Sequence, residues 1–527
     1  MDATWDVLVV GAGHNGLVAA TYLANTGFQV ALIEARDTIG GCSATVNVLN
    51  AKVNICNCDH SLIFGSEIIE ELALEKFGLE YIPLSSVKQH RLYKADSNDE
   101  TTRSWWLHRD SDRTVDELAK RDKNLGDQYK KYLAEYLPLA KHFIKLANTI
   151  PSTMEILRPG LRDFRLSNNL LRLAGKSLFD VLGATFESEV LAAPAGASVA
   201  VWGRSPRHQG TGLAMLGFAL GHILPTARPV GGSGALGESI YQAFSAAGGT
   251  LILNARVDSL VVDESRICGV NLVDGSRVSA KSVVLTVDPK RFSIVKKGTR
   301  HFKRTNRYLF EISNRPSPAG YESKVDAIVD RVPTFETFEL NADTNSNSSG
   351  VTTLLTPALS KIHDAFVLST QGEIAKQPIF LANLPDVVDP SMTPPDGGHV
   401  FSLEVLYTPY HLRSGWTISN EPQRWIDVFS LETTNDFATA LKRWRVMTPP
   451  TYEAEFGLTL GYAPSYPGTP LGLILGRPKE ATRYRTPIDG LFTCGASTFP
   501  GAGIWGVSGR NVSQVVTSYF KAERKNR

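Results

Sequence analysis

Gly11, Gly13 and Gly16 have the spacing in this chain with the most specific chemical use. They follow an unbroken apolar run, Val7 to Val10, and lead into the Ala-rich stretch Leu17-Val-Ala-Ala20. Each glycine has a separate job. Gly11 permits a tight turn, Gly13 lets the backbone approach a pyrophosphate, and Gly16 lets a helix pack against the strand before it. The start of that helix offers free N–H groups and a positive dipole end to phosphates. A second strand, expected over Gln29 to Ile33, ends in Glu34, 18 residues beyond Gly16. An acid at that place accepts hydrogen bonds from a ribose. Strand, glycine turn, helix, second strand and acid stand in the required order, so the spacing predicts a dinucleotide site in the first forty-odd residues.

Those residues need a fold to hold them. A chain of 527 residues is too long for one core, so two or more domains are expected. Apolar residues make up 43% and charged residues 20%, the balance of a soluble globular protein. A net charge of +2 argues against nucleic acid or a strongly acidic partner. The five cysteines, Cys42, Cys56, Cys58, Cys268 and Cys494, show no disulfide framework and suggest a reducing, cytoplasmic setting. Cys56-Asn-Cys58 has the wrong spacing for a redox pair and lacks a second Cys/His pair for zinc, so no metal is expected. No secretory leader is read at the N-terminus and no membrane span of ~20 residues is found. The most apolar stretch, Leu213 to Leu224, is interrupted by His222. It reads as core or pocket wall, with peripheral membrane contact as the alternative.

The fold class expected is α/β: a discontinuous Rossmann-like domain with an inserted mixed α+β substrate domain. The first would take residues 1–90, 226–298 and 466–527, the second 91–225 and 299–465. Residues from about 100 to 224 read as helical. The segment Pro229-Val-Gly-Gly-Ser-Gly-Ala-Leu236 opens a helix to about Ala247. A β-rich run follows, with a hairpin turn at Asp274-Gly275. Asn341 to Gly350 is almost without apolar residues and reads as a mobile surface loop. A strand at Leu491–Cys494 runs into a glycine-rich loop, and a helix starts near Gly506.

Two further motifs carry a family resemblance. Glu34-Ala-Arg-Asp-Thr-Ile-Gly40-Gly41 resembles the extension found in flavoproteins of the glutathione-reductase-2 group. The run from Gly495 to Gly506 resembles the flavin-binding signature of the phytoene desaturase and carotenoid isomerase branch. The resemblance implies FAD, held by distant parts of the chain. Gly11, Ala12, Gly13, Asn15 and Gly16 would take the pyrophosphate, and Glu34, Ala35 and Arg36 the adenosine side. Gly40, Gly41 and Cys42 would pass the ribityl chain, and Val257 would touch the adenine. Gly495, Ile504, Gly506 and Val507 would bring a helix N-terminus to the flavin ring. The chain departs from the branch at Phe499, where His is common, and at Trp505, where Pro is common.

Candidate catalytic residues are His60 and Trp505. His60 could act as a base, a substrate anchor or a flavin tether, or be a hydrogen-bonded core histidine. Trp505 could line the pocket or simply pack. The expected function is removal of hydride from a C–H bond of a largely hydrophobic, polyene- or isoprenoid-like substrate, as desaturation or isomerisation. Oxygen or a quinone would accept the electrons. An amine or amino-acid-type oxidase using oxygen is the alternative, and a non-catalytic FAD-binding protein is a third reading.

Overall fold

Val7 to Val10 are buried because their strand has partners on both edges and packing on both faces. Trp5–Val10 lies parallel between Val30–Ile33 and Arg277–Leu285. Val7 and Val9 enter one core cluster while Leu8 and Val10 enter another. A central parallel strand therefore reads as continuous rather than alternating apolar residues. Thr250–Ile252 extends the sheet beyond Val30–Ile33, and Leu491–Thr493 pairs in parallel with Arg277–Leu285. Val257–Asp263, Arg266–Leu272 and Ser293–Lys297 complete eight strands. The hairpin turns at Gly275, which takes φ +85°. Helices His14–Asn25, Gly234–Ala246 and Val507–Asn526 cover this sheet.

The structure is a computed structural model. It describes all residues except 1–3, 57, 98, 100–102, 152–162, 292, 298–306, 309, 310, 313, 316, 317, 336–351, 465, 470, 471, 474 and 527. The loop expected over 341–350 lies outside the described residues.

A second sheet has seven strands, in the order Leu441–Met447, Glu322–Val329, His399–Leu406, Ile379–Asn383, Thr353–Thr356, Ser86–Leu92 and Ser104–His108. Ser104–His108 is a strand inside the region read as helical. Its Trp105 and Leu107 join the core, which a short apolar run can do as strand or helix alike. Helices do dominate the rest of that region, including Lys123–Ala147, Leu178–Thr185 and Glu189–Ala197. The stretch from Leu213 to Leu224 forms a 3-10 turn and the helix Gly217–Ile223, and it is core wall as expected. One face of the second sheet packs Val325, Ala327, Leu403 and Val405 on Trp425 and Phe429. The other face is divided. Leu354, Leu381 and Leu406 meet the helices, while Glu322, Lys324, Asp326 and Glu404 are buried beside them. The hairpin Thr45–Val48/Ala51–Asn54 packs Ala51 and Val53 on Ile328 and Val400 and so bridges the two sheets. Among the described residues no helix is long and apolar enough to cross a membrane.

Candidate functional site: a split dinucleotide cradle

The glycine turn is fixed by its neighbours. Gly11 takes φ +102°, and a Cβ at Gly16 would overlap the Gly11 carbonyl oxygen. Glu34 ties the turn to the end of the second strand. Its Oε2 accepts the Ala12 N–H at 2.8 Å and its Oε1 accepts the Arg36 N–H at 3.0 Å. The Gly40 N–H donates to the Ala12 carbonyl at 2.8 Å. A Cβ at Gly41 would lie 3.2 Å from the Gly13 Cα, so the glycine pair allows the two loops to touch. The strand carrying Val257 starts alongside Glu34–Arg36, with Ala255 N–H on the Glu34 carbonyl at 2.8 Å. Ala35 is half-buried on this same edge.

The C-terminal motif closes on the same place from the far end of the chain. His14 Nε2 is 3.0 Å from the Gly503 carbonyl. Ile63 N–H donates to the Ile504 carbonyl at 3.1 Å, and Gly495 N–H to Ser508 Oγ at 2.7 Å. Gly506 takes φ +80°, and the last helix begins at the buried Val507. A Cβ at Gly509 would overlap the Asn15 carbonyl, so the two helices meet at their starts.

These residues fit FAD. The helix His14–Asn25 has Gly13 as its N-cap with no side-chain cap, leaving its first amides for a ligand. A Cβ at Gly13 would meet nothing within 4 Å, so the space over the turn is open. Asn15 Oδ1 and Arg36 Nη1 are buried without hydrogen-bond partners. Buried polar atoms are nearly always satisfied, and a ribose or phosphate would satisfy these.

The two candidate catalytic residues have structural places. His60 is fully buried. Its Nδ1 is 2.9 Å from the Tyr81 hydroxyl and its Nε2 is 3.1 Å from Ser233 Oγ. Both ring nitrogens are thus engaged, the arrangement of a hydrogen-bonded core histidine. Burial, helped by nearby His14, pulls its pKa down to about 3. His60 is therefore neutral in the fold and protonates near pH 6.5 once unfolded. Its contribution to stability is complete above that value and is lost as pH falls from 6.5 toward 3. His60→Gln is expected to flatten the acid limb of a Tm–pH profile over this window. An unchanged limb would count against the assignment. Trp505 is buried in the nucleotide-domain core with Phe499, Val507 and Ile63, which accounts for its bulk without chemistry.

Cys42 stands half-exposed directly after the glycine pair and contacts the Cys56 thiol. That hydrogen bond and burial push the Cys56 thiol well up. Among the described residues the cysteines are free and no metal-binding cluster occurs.

Several charged residues at the junction of the sheets escaped the sequence reading. Arg228 Nε donates to Asp59 Oδ1 at 2.8 Å, and Thr352 Oγ1 donates to Asp59 Oδ2 at 2.6 Å. Lys324 pairs with Asp326 at 2.8 Å and donates to the Asn54 carbonyl. Asn54 Oδ1 in turn accepts the Ser233 N–H at 2.9 Å, on the nucleotide side. Glu404 lies directly across the strand pair from Lys324. The alternation Glu322-Ser-Lys324-Val-Asp326-Ala was the available signal.

A glycine cradle closed by a C-terminal loop and a parallel sheet broken by an inserted sheet define an FAD-dependent oxidoreductase. The family model described as flavin containing amine oxidoreductase matches residues 16–307, and the chain belongs to this family. The chain is 26% identical to "Pyridine nucleotide-disulfide oxidoreductase domain-containing protein 2" of Mus musculus, covering 97% of this chain and 93% of that protein. It is 23% identical to one of the subunits of the limonene dehydrogenase of Castellaniella defragrans, covering 97% and 94%. It is 25% identical to the chloroplastic prolycopene isomerase of Arabidopsis thaliana, covering 57% and 47%. The solved cyclohexylamine oxidase of Brevibacterium oxydans shares the fold, with a TM-score of 0.60, 16% identity and coverage of 98% and 100%.

Proposed function

We propose that the protein takes a hydride from a C–H bond of a largely hydrophobic, isoprenoid- or polyene-like substrate, in a desaturation or isomerisation. The carrying observation is the apolar half of the second sheet. Leu354, Ile379, Leu381 and Leu406 face Leu182, Leu191, Met215 and Phe218 in one cluster. FAD, when bound, supplies the hydride acceptor at its N5 atom. The chain's own residues bind, orient and exclude water, and an apolar C–H substrate asks for little else. Two relatives of this chain are named for isoprenoids, limonene and prolycopene, which supports the substrate class.

The amine-oxidase reading keeps one specific support. Glu322 and Glu404 are two carboxyl groups on one buried face, and carboxylates suit an ammonium group. Anaerobic mixing of the FAD-loaded protein with polyenes, isoprenoids and amines separates the two. Bleaching of the flavin colour by isoprenoids or polyenes is expected. Bleaching by amines alone would overturn the reading. Re-oxidation by oxygen or only by a quinone then identifies the electron acceptor.

A further inference from the structure

Apolar residues scattered singly over a surface are ordinary. The helix Phe164–Ala174 instead carries two on one line. Phe164 is 71% exposed and Leu171 is 46% exposed. Standing seven residues apart, they are two turns from one another and only ~20° apart around the axis. Arg165 and Arg172 repeat that spacing one position on, so a cationic row runs beside the apolar one. Both arginines are exposed, as is Lys176 just past the helix end. None of these three cations forms an ion pair among the described residues. The helix itself holds no acidic residue.

The inner side of the helix fixes which side faces out. Leu170, Leu173 and Ala174 join the core cluster, with Leu166 packed against it. Ser167 Oγ is 2.9 Å from His142 Nε2 on the helix Lys123–Ala147. The apolar and cationic rows are therefore held outward. Further cations adjoin both ends. Lys145 and Asp163 both act on the His142 charge, which places them beside the start of the helix. Beyond its end, the Gly210 and Gly212 amides donate to the Lys176 carbonyl, each at 3.0 Å. The same loop lays the Arg207 guanidinium 3.9 Å over the half-buried Phe179 ring. Two acids stand among these cations, Asp163 and Asp180, and Asp180 accepts the Ser177 hydroxyl at 2.6 Å.

We propose that this face docks on an anionic lipid surface, with Phe164 and Leu171 entering the boundary of headgroups and acyl chains. Arg165, Arg172 and Lys176 would meet the headgroup phosphates, for which the arginine fork is well shaped. Charge complementarity selects this occupant. A neutral bilayer leaves the cations without partners, and a soluble anion leaves the exposed ring in water. A helix with cations beside large apolar side chains lies in the plane of a membrane interface. The inner face of the helix belongs to the cluster that forms the apolar wall. Docking would thus set that wall against the phase in which isoprenoids dissolve, but the surface itself does not depend on the substrate.

Co-sedimentation of the FAD-loaded protein with vesicles tests the proposal. Binding is expected to vesicles of equal parts phosphatidylcholine and phosphatidylserine, and not to phosphatidylcholine alone. Salt at about 1 M, where charges are screened beyond ~3 Å, is expected to release the protein. A cation near an anionic surface is worth about five-fold in partition, so Arg165→Gln/Arg172→Gln should weaken binding roughly 25-fold. Phe164→Ser should weaken it about ten-fold. Because these side chains are exposed, FAD retention and Tm should match wild type, which separates lost docking from lost folding. Lys376→Gln/Lys442→Gln removes as much charge at exposed positions of the inserted domain and should leave binding unchanged. Equal binding to neutral vesicles, equal weakening by the Lys376/Lys442 pair, or binding that survives both helix variants overturns the proposal. So does an absence of vesicle binding, and self-association that Phe164→Ser abolishes would then give this face to a second copy of the chain.

Discussion

Gly16→Ala is expected to yield a colourless protein that has lost FAD and several kcal/mol of stability. The new Cβ would overlap the Gly11 carbonyl oxygen and stand 3.0 Å from Thr286 Oγ1. Neither neighbour is free to yield. Thr286 Oγ1 donates to the Val10 and Gly11 carbonyls, both at 2.9 Å. Gly11 itself is held at φ +102°. Overpacking of this kind costs about 1–3 kcal/mol even where side chains can shift, and here the obstacle is backbone. Opening the turn also removes the amides that face the pyrophosphate. A lost cofactor takes its mass-action stabilisation with it, ~2.7 kcal/mol when FAD stands at 100 times its Kd. Gly183→Ala is the matched control. It lies in the helix Leu178–Thr185, and a Cβ there meets nothing within 4 Å. That variant should be neutral or more stable by up to ~1 kcal/mol. Visible flavin absorbance and thermal unfolding read both variants. A yellow Gly16→Ala protein of unchanged Tm would refute the clamp.

The same turn shows which parts of the site a sequence can disclose. Gly11, Gly13 and Gly16 act through local geometry, so their spacing carries their meaning. Gly40-Gly41 and the loop from Gly495 to Gly506 were legible for the same reason. They also return to the first turn in space, at Ala12, Gly13 and His14. The charged junction was not legible because its chemistry is tertiary. Glu322, Lys324 and Asp326 alternate with Ser323, Val325 and Ala327, the pattern of a strand with one wet face. Here that face is covered by the hairpin ending at Asn54, and Asp326 is fully buried. Asp59 is hidden for the same reason, since its partner Arg228 lies 169 residues away. The partners of His60 were equally out of reach, since Tyr81 and Ser233 lie 21 and 173 residues away. Glu404 sits in a strand of apolar residues, where a lone acid gives no hint of the groups opposite it.

Asp326→Ala is expected to destabilise the protein by about 3–5 kcal/mol, the usual cost of removing one partner from a buried ion pair. Asp326 is fully buried and Lys324 is 1% exposed. The carboxylate takes Lys324 at 2.8 Å and Arg445 Nε at 3.1 Å. Without it, two cations share a buried site that held one anion between them. With Asp326 in place Lys324 keeps its proton. Burial lowers its pKa, but Asp326 and Glu404 outweigh burial and hold it above the ordinary value. In the variant only the Glu404 side of that support remains, and Glu404 is itself mainly neutral at pH 7. The damage should spread to the cradle, because Lys324 grips the Asn54 carbonyl and Asn54 Oδ1 receives the Ser233 amide. FAD retention should therefore fall along with the denaturation midpoint. The double variant Asp326→Leu/Lys324→Met removes charge from both sides. It should recover much of the loss, as apolar replacements of buried pairs often do. Denaturant unfolding of the two variants decides the matter. A single variant within 1 kcal/mol of wild type, a margin typical of exposed pairs, would show that water reaches this junction.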